Sequence, residues 1–157
     1  TLTSNGVVYG NGTGAAQVTA QGGTNTVLIA NAGAPSFSAT PTLTSVTLTG
    51  ELAAQATTPS SFSTQQDNYA IGAFSFARIQ TSVTLTAITG ITGGVNGKRL
   101  VLANIDGTTS ITISNESASS TAANRVITGT GADYVMLANN TIELVYDATS
   151  SRWRMIN

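Results

Sequence analysis

Five carboxylates in the second half of the chain, Asp106, Glu116, Asp133, Glu143 and Asp147, are the side chains best suited to acid–base chemistry. A glycosidase needs two such groups held about 5–9 Å apart. Glu143 and Asp147 share one face of a strand, but Asp147 opens a turn, and no spacing singles out a pair. Surface and turn roles are therefore expected, with no catalytic residue. Asp106, Glu116 and Asp133, joined by Asn side chains, could offer calcium the oxygen ligands it wants. No repeated acidic loop accompanies them, so no metal and no cofactor are expected. Gly10, Gly12 and Gly14 have GxGxG spacing but lack the helix and Lys of a phosphate loop, and read as turn glycines. Arg152-Trp153-Arg154 sets a planar aromatic between two guanidiniums, which can bind sugars or anions. In a terminal strand, however, Trp153 and Met155 alternate with the arginines, which points Trp inward. Arg125 follows a Ser/Ala/Asn loop and is expected to tie it to a carboxylate such as Asp147. Tyr69, Phe74, Phe76 and Tyr134 would make a carbohydrate-stacking platform if exposed. With four Phe, four Tyr and one Trp in the whole chain, packing has the first demand on them. The sequons at Asn11, Asn115 and Asn139 matter only in a eukaryotic secretory setting.

What is missing narrows the field further. The 157 residues contain no His and no Cys, which excludes a Ser-His-Asp triad, a thiolate nucleophile, a disulfide framework and a Cys/His zinc site. Only 8% of residues are charged, against roughly 25% in an average soluble protein, and the net charge is -1. A nucleic-acid binder would need a basic stripe to neutralise phosphates. No apolar run approaches the ~20 residues of a membrane helix, so no membrane insertion is expected. Thr, Val and Ile are abundant and suit a pleated, half-buried surface. A surface of Thr, Ser and Asn hydrates well yet repels its neighbours weakly, which fits extracellular or virion proteins that pack against copies of themselves. The chain opens on Thr1 without a signal peptide, and is read as processed or as a piece of something longer.

The elements that must position these residues fall in two regions. Residues 1–66 hold a single ionisable side chain of the Asp/Glu/Lys/Arg set, Glu51, and the break comes near Pro59. Short apolar pieces, Val7-Val8-Tyr9 and Val27-Leu28-Ile29, are separated by turn residues and cannot build a private core. They predict an intertwined shaft, in which uncharged residues meet at a symmetry axis without repulsion. A flexible linker is the alternative. Alternation follows in Val46-Thr47-Leu48-Thr49, then a connector of weak helical or coil character from Ala53 to Thr64.

The second region predicts eight strands: Ala73–Gln80, Val83–Ile88, Lys98–Ile105, Ser110–Ser114, Arg125–Thr128, Asp133–Ala138, Thr141–Asp147 and Arg152–Ile156. Val83 and Leu85 are set on one face against Thr84 and Thr86. Ile142, Leu144 and Tyr146 oppose Glu143 and Asp147. Asn96-Gly97 and Asp106-Gly107 tolerate the positive φ of tight hairpins. Eight short strands in about 90 residues mean a β-sandwich or jelly roll.

The residues also resemble a family. Gly6 to Gly14 (GVVYGNGTG), with Val27 to Asn31 (VLIAN) and Gly33 to Phe37 (GAPSF), resembles Gly-rich units of tail-fibre proteins of tailed bacteriophages. The second half is similar to a C-terminal module of phage and prophage virion proteins. The matching stretches are Gln66 to Tyr69 (QDNY), Ile88 to Gly94 (ITGITGG) with Asn96-Gly97, and Leu100 to Asn104 (LVLAN). Asn115 to Arg125 (NESASSTAANR) and Leu144 to Arg154 (LVYDATSSRWR) complete them. The resemblance implies a virion structural protein, most often a trimeric fibre tip, that ends naturally near Asn157. It supplies no receptor-binding residues, and it assigns Arg125, Arg152 and Trp153 to structure.

The sequence thus predicts an all-β protein: an extended, fibre-like segment over 1–60 and a jelly-roll-like β-sandwich over 61–157. It is expected to be a non-catalytic homotrimer in the virion, made in the host cytoplasm, in contact with other virion proteins and with a host-surface polysaccharide or protein. A capsid or neck decoration protein is the second reading, and a polysaccharide depolymerase fragment the third.

Overall fold

The computed structural model describes residues 6–30, 34–42, 49 and 53–156. The chain divides into two compact units, Thr1–Glu51 and Leu52–Asn157, and is all-β, with one short 3-10 turn among the described residues. Val46-Thr47-Leu48 and Glu51 lie outside the described residues.

The first unit holds two local hairpins. Strand β1 (Val8–Tyr9) pairs antiparallel with β2 (Gln17–Val18), and β3 (Val27–Ile29) with β4 (Ser36–Ser38). The loop after β1 closes where Gly14 N donates to Asn11 O (3.0 Å). Gly12 takes φ +59° there, a conformation glycine adopts without a Cβ clash. The GxGxG glycines therefore serve a turn between antiparallel strands, with no helix to receive a phosphate. Thr19 locks the hairpin: its Oγ1 accepts from Val7 N, and its own N donates to Val7 O, both at 3.0 Å.

The second unit contains β5 (Ala56–Thr57), β6 (Phe76–Ile79), β7 (Thr86–Ile88), β8 (Arg99–Asn104), β9 (Ile111–Ile113), β10 (Val126–Ile127), β11 (Tyr134–Met136), β12 (Thr141–Asp147) and β13 (Arg152–Ile156). Each of the eight expected segments contains a strand. A six-stranded sheet has the order β10-β13-β12-β8-β6-β5, and a three-stranded sheet the order β11-β9-β7. Apolar side chains alternate inward along β8, β9, β12 and β13. Leu100, Leu102, Ile111, Ile113, Ile142, Leu144, Tyr146, Trp153 and Met155 from both sheets join one buried cluster.

The pairing departs from a jelly roll, whose strands run antiparallel. Here β5, β6 and β8 are parallel to one another, and so are β7 and β9. Ala56 lies opposite Phe76, and Phe76 opposite Val101. On the other side Gln66 bridges Ile88, which lies opposite Ile113. Bridges from Phe62 to Thr81 and from Tyr69 to Ile91 repeat the relation. Successive passes of the chain thus stack as rungs, crossing from one sheet to the other by tight turns where most parallel pairs use a helix. The hairpin β12–β13 and the strand β11 add the antiparallel pairs.

Three local expectations are corrected. The connector 53–64 contains β5, because Gln55 O accepts from Ser75 N and Phe76 N and draws the segment onto the sheet. Asn96-Gly97 and Asp106-Gly107 do not form hairpins, since the strands flanking each belong to different sheets. Gly97 (φ +77°) instead serves a turn closed by Lys98 N to Val95 O (2.8 Å). Val83 and Leu85 do not face the core; Thr86 does. The hydroxyls of Thr81 and Thr86 both donate to Val83 O (2.9 and 2.7 Å), which coils residues 82–85 into a turn and turns the side chains around.

Candidate functional site

Each candidate carboxylate is engaged. Glu143 Oε1 accepts from Arg99 Nη1 at 2.8 Å, Glu116 Oε1 from Arg152 Nε at 2.7 Å, and Asp147 Oδ2 from Arg154 Nε at 2.8 Å. Asp133 Oδ1 accepts from Asn115 N (2.8 Å). Asp106 closes an Asx turn by accepting from Thr108 N and Thr109 N, and these bonds hold its carboxyl down at about 2. Arg154, then Ser150, hold Asp147 at about 2 as well. A general acid is tuned upward by its surroundings, and these two are tuned the other way. Glu143 and Asp147 do share the outer face of β12, each matched to its own arginine. Among the described residues no group of three or more acidic side chains gathers as metal ligands would.

The aromatic residues do not assemble into a platform. Tyr69 is buried against Phe62, with ring centroids 5.6 Å apart. Tyr134 belongs to the three-stranded sheet and accepts from Asn140 Nδ2. Phe76 lies on the outer face of the six-stranded sheet, with the Arg78 guanidinium 4.8 Å from its ring centre. Trp153 is fully buried, its Nε1 donating to Ile91 O (2.8 Å) and its ring edge-on to Tyr146 at 5.2 Å. Arg125 ties its loop to a backbone carbonyl, Ser120 O (3.0 Å), instead of to Asp147, because Arg154 already holds that carboxylate. Asn115 Oδ1 accepts from Thr128 N and Oγ1, and Asn139 sits at φ +59° in a turn.

What the structure brings together is the set of loop motifs whose role their composition left open. Asn68, at φ +51°, accepts through Oδ1 from Thr121 N and from Asn124 Nδ2, both at 2.8 Å. Its N donates to Ser120 Oγ (2.9 Å). Buried Thr89 donates to Asp67 Oδ1 (2.6 Å) and lies 2.8 Å from Ser120 Oγ. Gly90 is glycine for a steric reason: a Cβ there would stand 2.6 Å from Ser120 Cβ and 2.7 Å from Asn124 O. Around this centre Ile91 N donates to Asn124 O, Trp153 N to Arg125 O, and Tyr146 Oη to Ala123 O. The segments 66–69, 88–94, 115–125 and 144–154 thus meet in one polar clasp, which fixes the long loop 114–125 over the end of the core. These partners stand 22 to 56 residues apart in the chain. The only hint in the sequence was their density of Asn, Thr and Ser.

Two shallow clefts adjoin the start of β8. One, of about 390 Å³, is lined by Gly72, Ala73, Gly93, Val95 and Lys98. The other, of about 440 Å³, is lined by Ala53, Ala54, Gln55, Ala73, Ser75 and Arg99. Lys98 Nζ donates to Gly72 O and Gly93 O, which pins the ammonium between two turns.

The two sheets differ sharply in their outward faces. The six-stranded sheet presents Arg78, Arg99, Glu143, Asp147, Arg152 and Arg154. The three-stranded sheet presents Ala87, Thr112 and Val135 in one row, with Leu85, Ser110 and Leu137 beside it, and no charged side chain. Comparison with protein-family models, curated proteins and solved structures finds no significant match to this chain.

Proposed function

We propose that the chain is a non-catalytic structural subunit of a bacteriophage virion, a homotrimeric tail fibre whose C-terminal head contacts the host surface. In this reading the first unit, Thr1–Glu51, is a fibre-like shaft and the second, Leu52–Asn157, with β5 at the edge of its sheet, a β-sandwich head. The observation that carries it is in the first unit. Its hairpins leave Val8 and Val27 at 53% and 50% exposure, contribute nothing to the buried cluster, and bear no charge among the described residues. Two-stranded hairpins of this size are marginal alone in water, so these call for apolar cover from other chains. The commitment of every candidate carboxylate to an arginine or a backbone donor favours a scaffold over a hydrolase. Host contact through loops and outer faces of the head would be weak at each site and multiplied by the number of copies.

Light scattering on the full chain tests the assembly, with three times the mass of one chain as the expected result. Gold-labelled antibody on virions tests the location. Label at tail tips supports the fibre. Label over the head lattice would move the chain to a decoration role and overturn the reading.

A further inference from the structure

The outward face of the three-stranded sheet is the most unusual surface of the second unit. Leu85 and Leu137 stand at either side of Ser110, at 56% and 59% exposure, and Val135 and Val83 are exposed with them. Met136 lies opposite Ile111, which sets Leu137 beside Ser110, while Leu85 N donates to Ser110 O at 2.7 Å. Across the adjoining row Val135, Thr112 and Ala87 lie in register. The residues of this face, 85–87, 110–112 and 135–137, include no ionisable side chain.

Two further observations bear on the same patch. Leu85 is held at φ +58°, a conformation that favours Gly or Asn, and it spends this strain on an apolar side chain presented to solvent. Strand β11 is the end strand of its sheet, so one row of its backbone N–H and C=O groups has no strand neighbour.

Charge decides the occupant. Four of the five arginines, with Glu143 and Asp147, crowd the outer face of the other sheet, where water can solvate them. A charged partner would find its complement there and no ionisable side chain within these two rows. A surface without charge can approach its own symmetry-related copies closely without like-charge repulsion. We infer that the Leu85–Val135–Leu137 face packs against the same face of other copies of this chain around the assembly axis. This rests on the homotrimer proposed above and assigns its contact surface in the head.

The test compares the full chain with a Leu85→Asp, Leu137→Asp double variant by light scattering, with circular dichroism to follow folding. Arg78→Asp, on the opposite face, is the control. The expected result is a trimeric parent, a trimeric Arg78→Asp variant and a threefold drop in mass for the double variant with its β spectrum intact. A parent and a double variant that are both trimeric would overturn this inference while leaving the fibre reading standing. A monomeric parent would overturn both. Should the double variant not fold, Thr112→Cys in the parent decides the matter, since the chain has no other thiol. A disulfide-linked dimer on mild oxidation supports the face, and its absence rejects it.

Discussion

Tyr69 carries a buried hydroxyl with no hydrogen-bond partner among the described residues, and burial raises its pKa. An unsatisfied buried polar group costs about 1–3 kcal/mol. Tyr69→Phe keeps the ring against Phe62 and removes that cost, so it is expected to stabilise the second unit by about 1 kcal/mol. For a unit of this size the melting temperature should rise by a few degrees; a lower one would show that the hydroxyl has a partner. Asp106 and Asp147 support a second prediction at this scale. Both carboxyls are held at about 2 in the folded chain, below their ordinary 3.8. A depressed folded pKa contributes stability that is present above the unfolded value and lost as pH falls through the folded one. The melting temperature is therefore expected to decline between pH 3.8 and about 2. An Asp106→Asn, Asp147→Asn double variant should start lower, through loss of the Arg154 pair, and run flatter across that window. An unchanged slope would put the titration elsewhere.

At the scale of elements, the polar clasp and the β12–β13 hairpin work together. Asn68 supplies two acceptor bonds from one oxygen while holding a left-handed backbone that Asn tolerates better than most residues. Asn68→Ala loses both bonds and adds backbone strain, for an expected cost of about 2–3 kcal/mol read from the urea midpoint. Asn68→Asp keeps the oxygen and the backbone preference and should recover most of it. Equal losses in the two variants would mean that neither bond matters. The same region marks what side-chain periodicity can reveal. Strands β12 and β13 were legible to the residue, because Ile142, Leu144, Tyr146, Trp153 and Met155 alternate with neighbours that are polar except for Val145 and Ile156. Strands β2, β4 and β5 were not, since Gln17–Val18, Ser36–Ser38 and Ala56–Thr57 are held by backbone pairing and carry no apolar pattern. The parallel rungs left no trace either. Partners such as Gln66 and Ile88, or Ala56 and Phe76, share no side-chain type, so no repeat announces the stacking. Around Val83 the pattern misled, because a threonine can satisfy its hydroxyl inside and leave the valine out.

For the whole molecule, the scarcity of charge sets how assembly responds to solution conditions. The Thr-, Ser- and Asn-rich surface and the nearly uncharged first region were visible in composition, but only folding separated the ionised outer face of one sheet from the uncharged face of the other. The contacts proposed through Leu85, Val135 and Leu137 would depend on burial of apolar surface, which salt does not screen. With no His in the chain, no side chain has an ordinary pKa between about pH 5 and 8. The mass of the assembled chain is therefore expected to stay constant over that pH range, and from about 0.05 to 1 M NaCl, where the screening length falls to about 3 Å. Sulfate at about 0.5 M should shift a dilute sample toward the assembled form, because excluded salts favour apolar burial. Light scattering across the two salt series separates the possibilities. Dissociation in NaCl would instead assign the contacts to the ionised face of Arg78, Arg99 and Arg154, where pairing between copies weakens as salt is added.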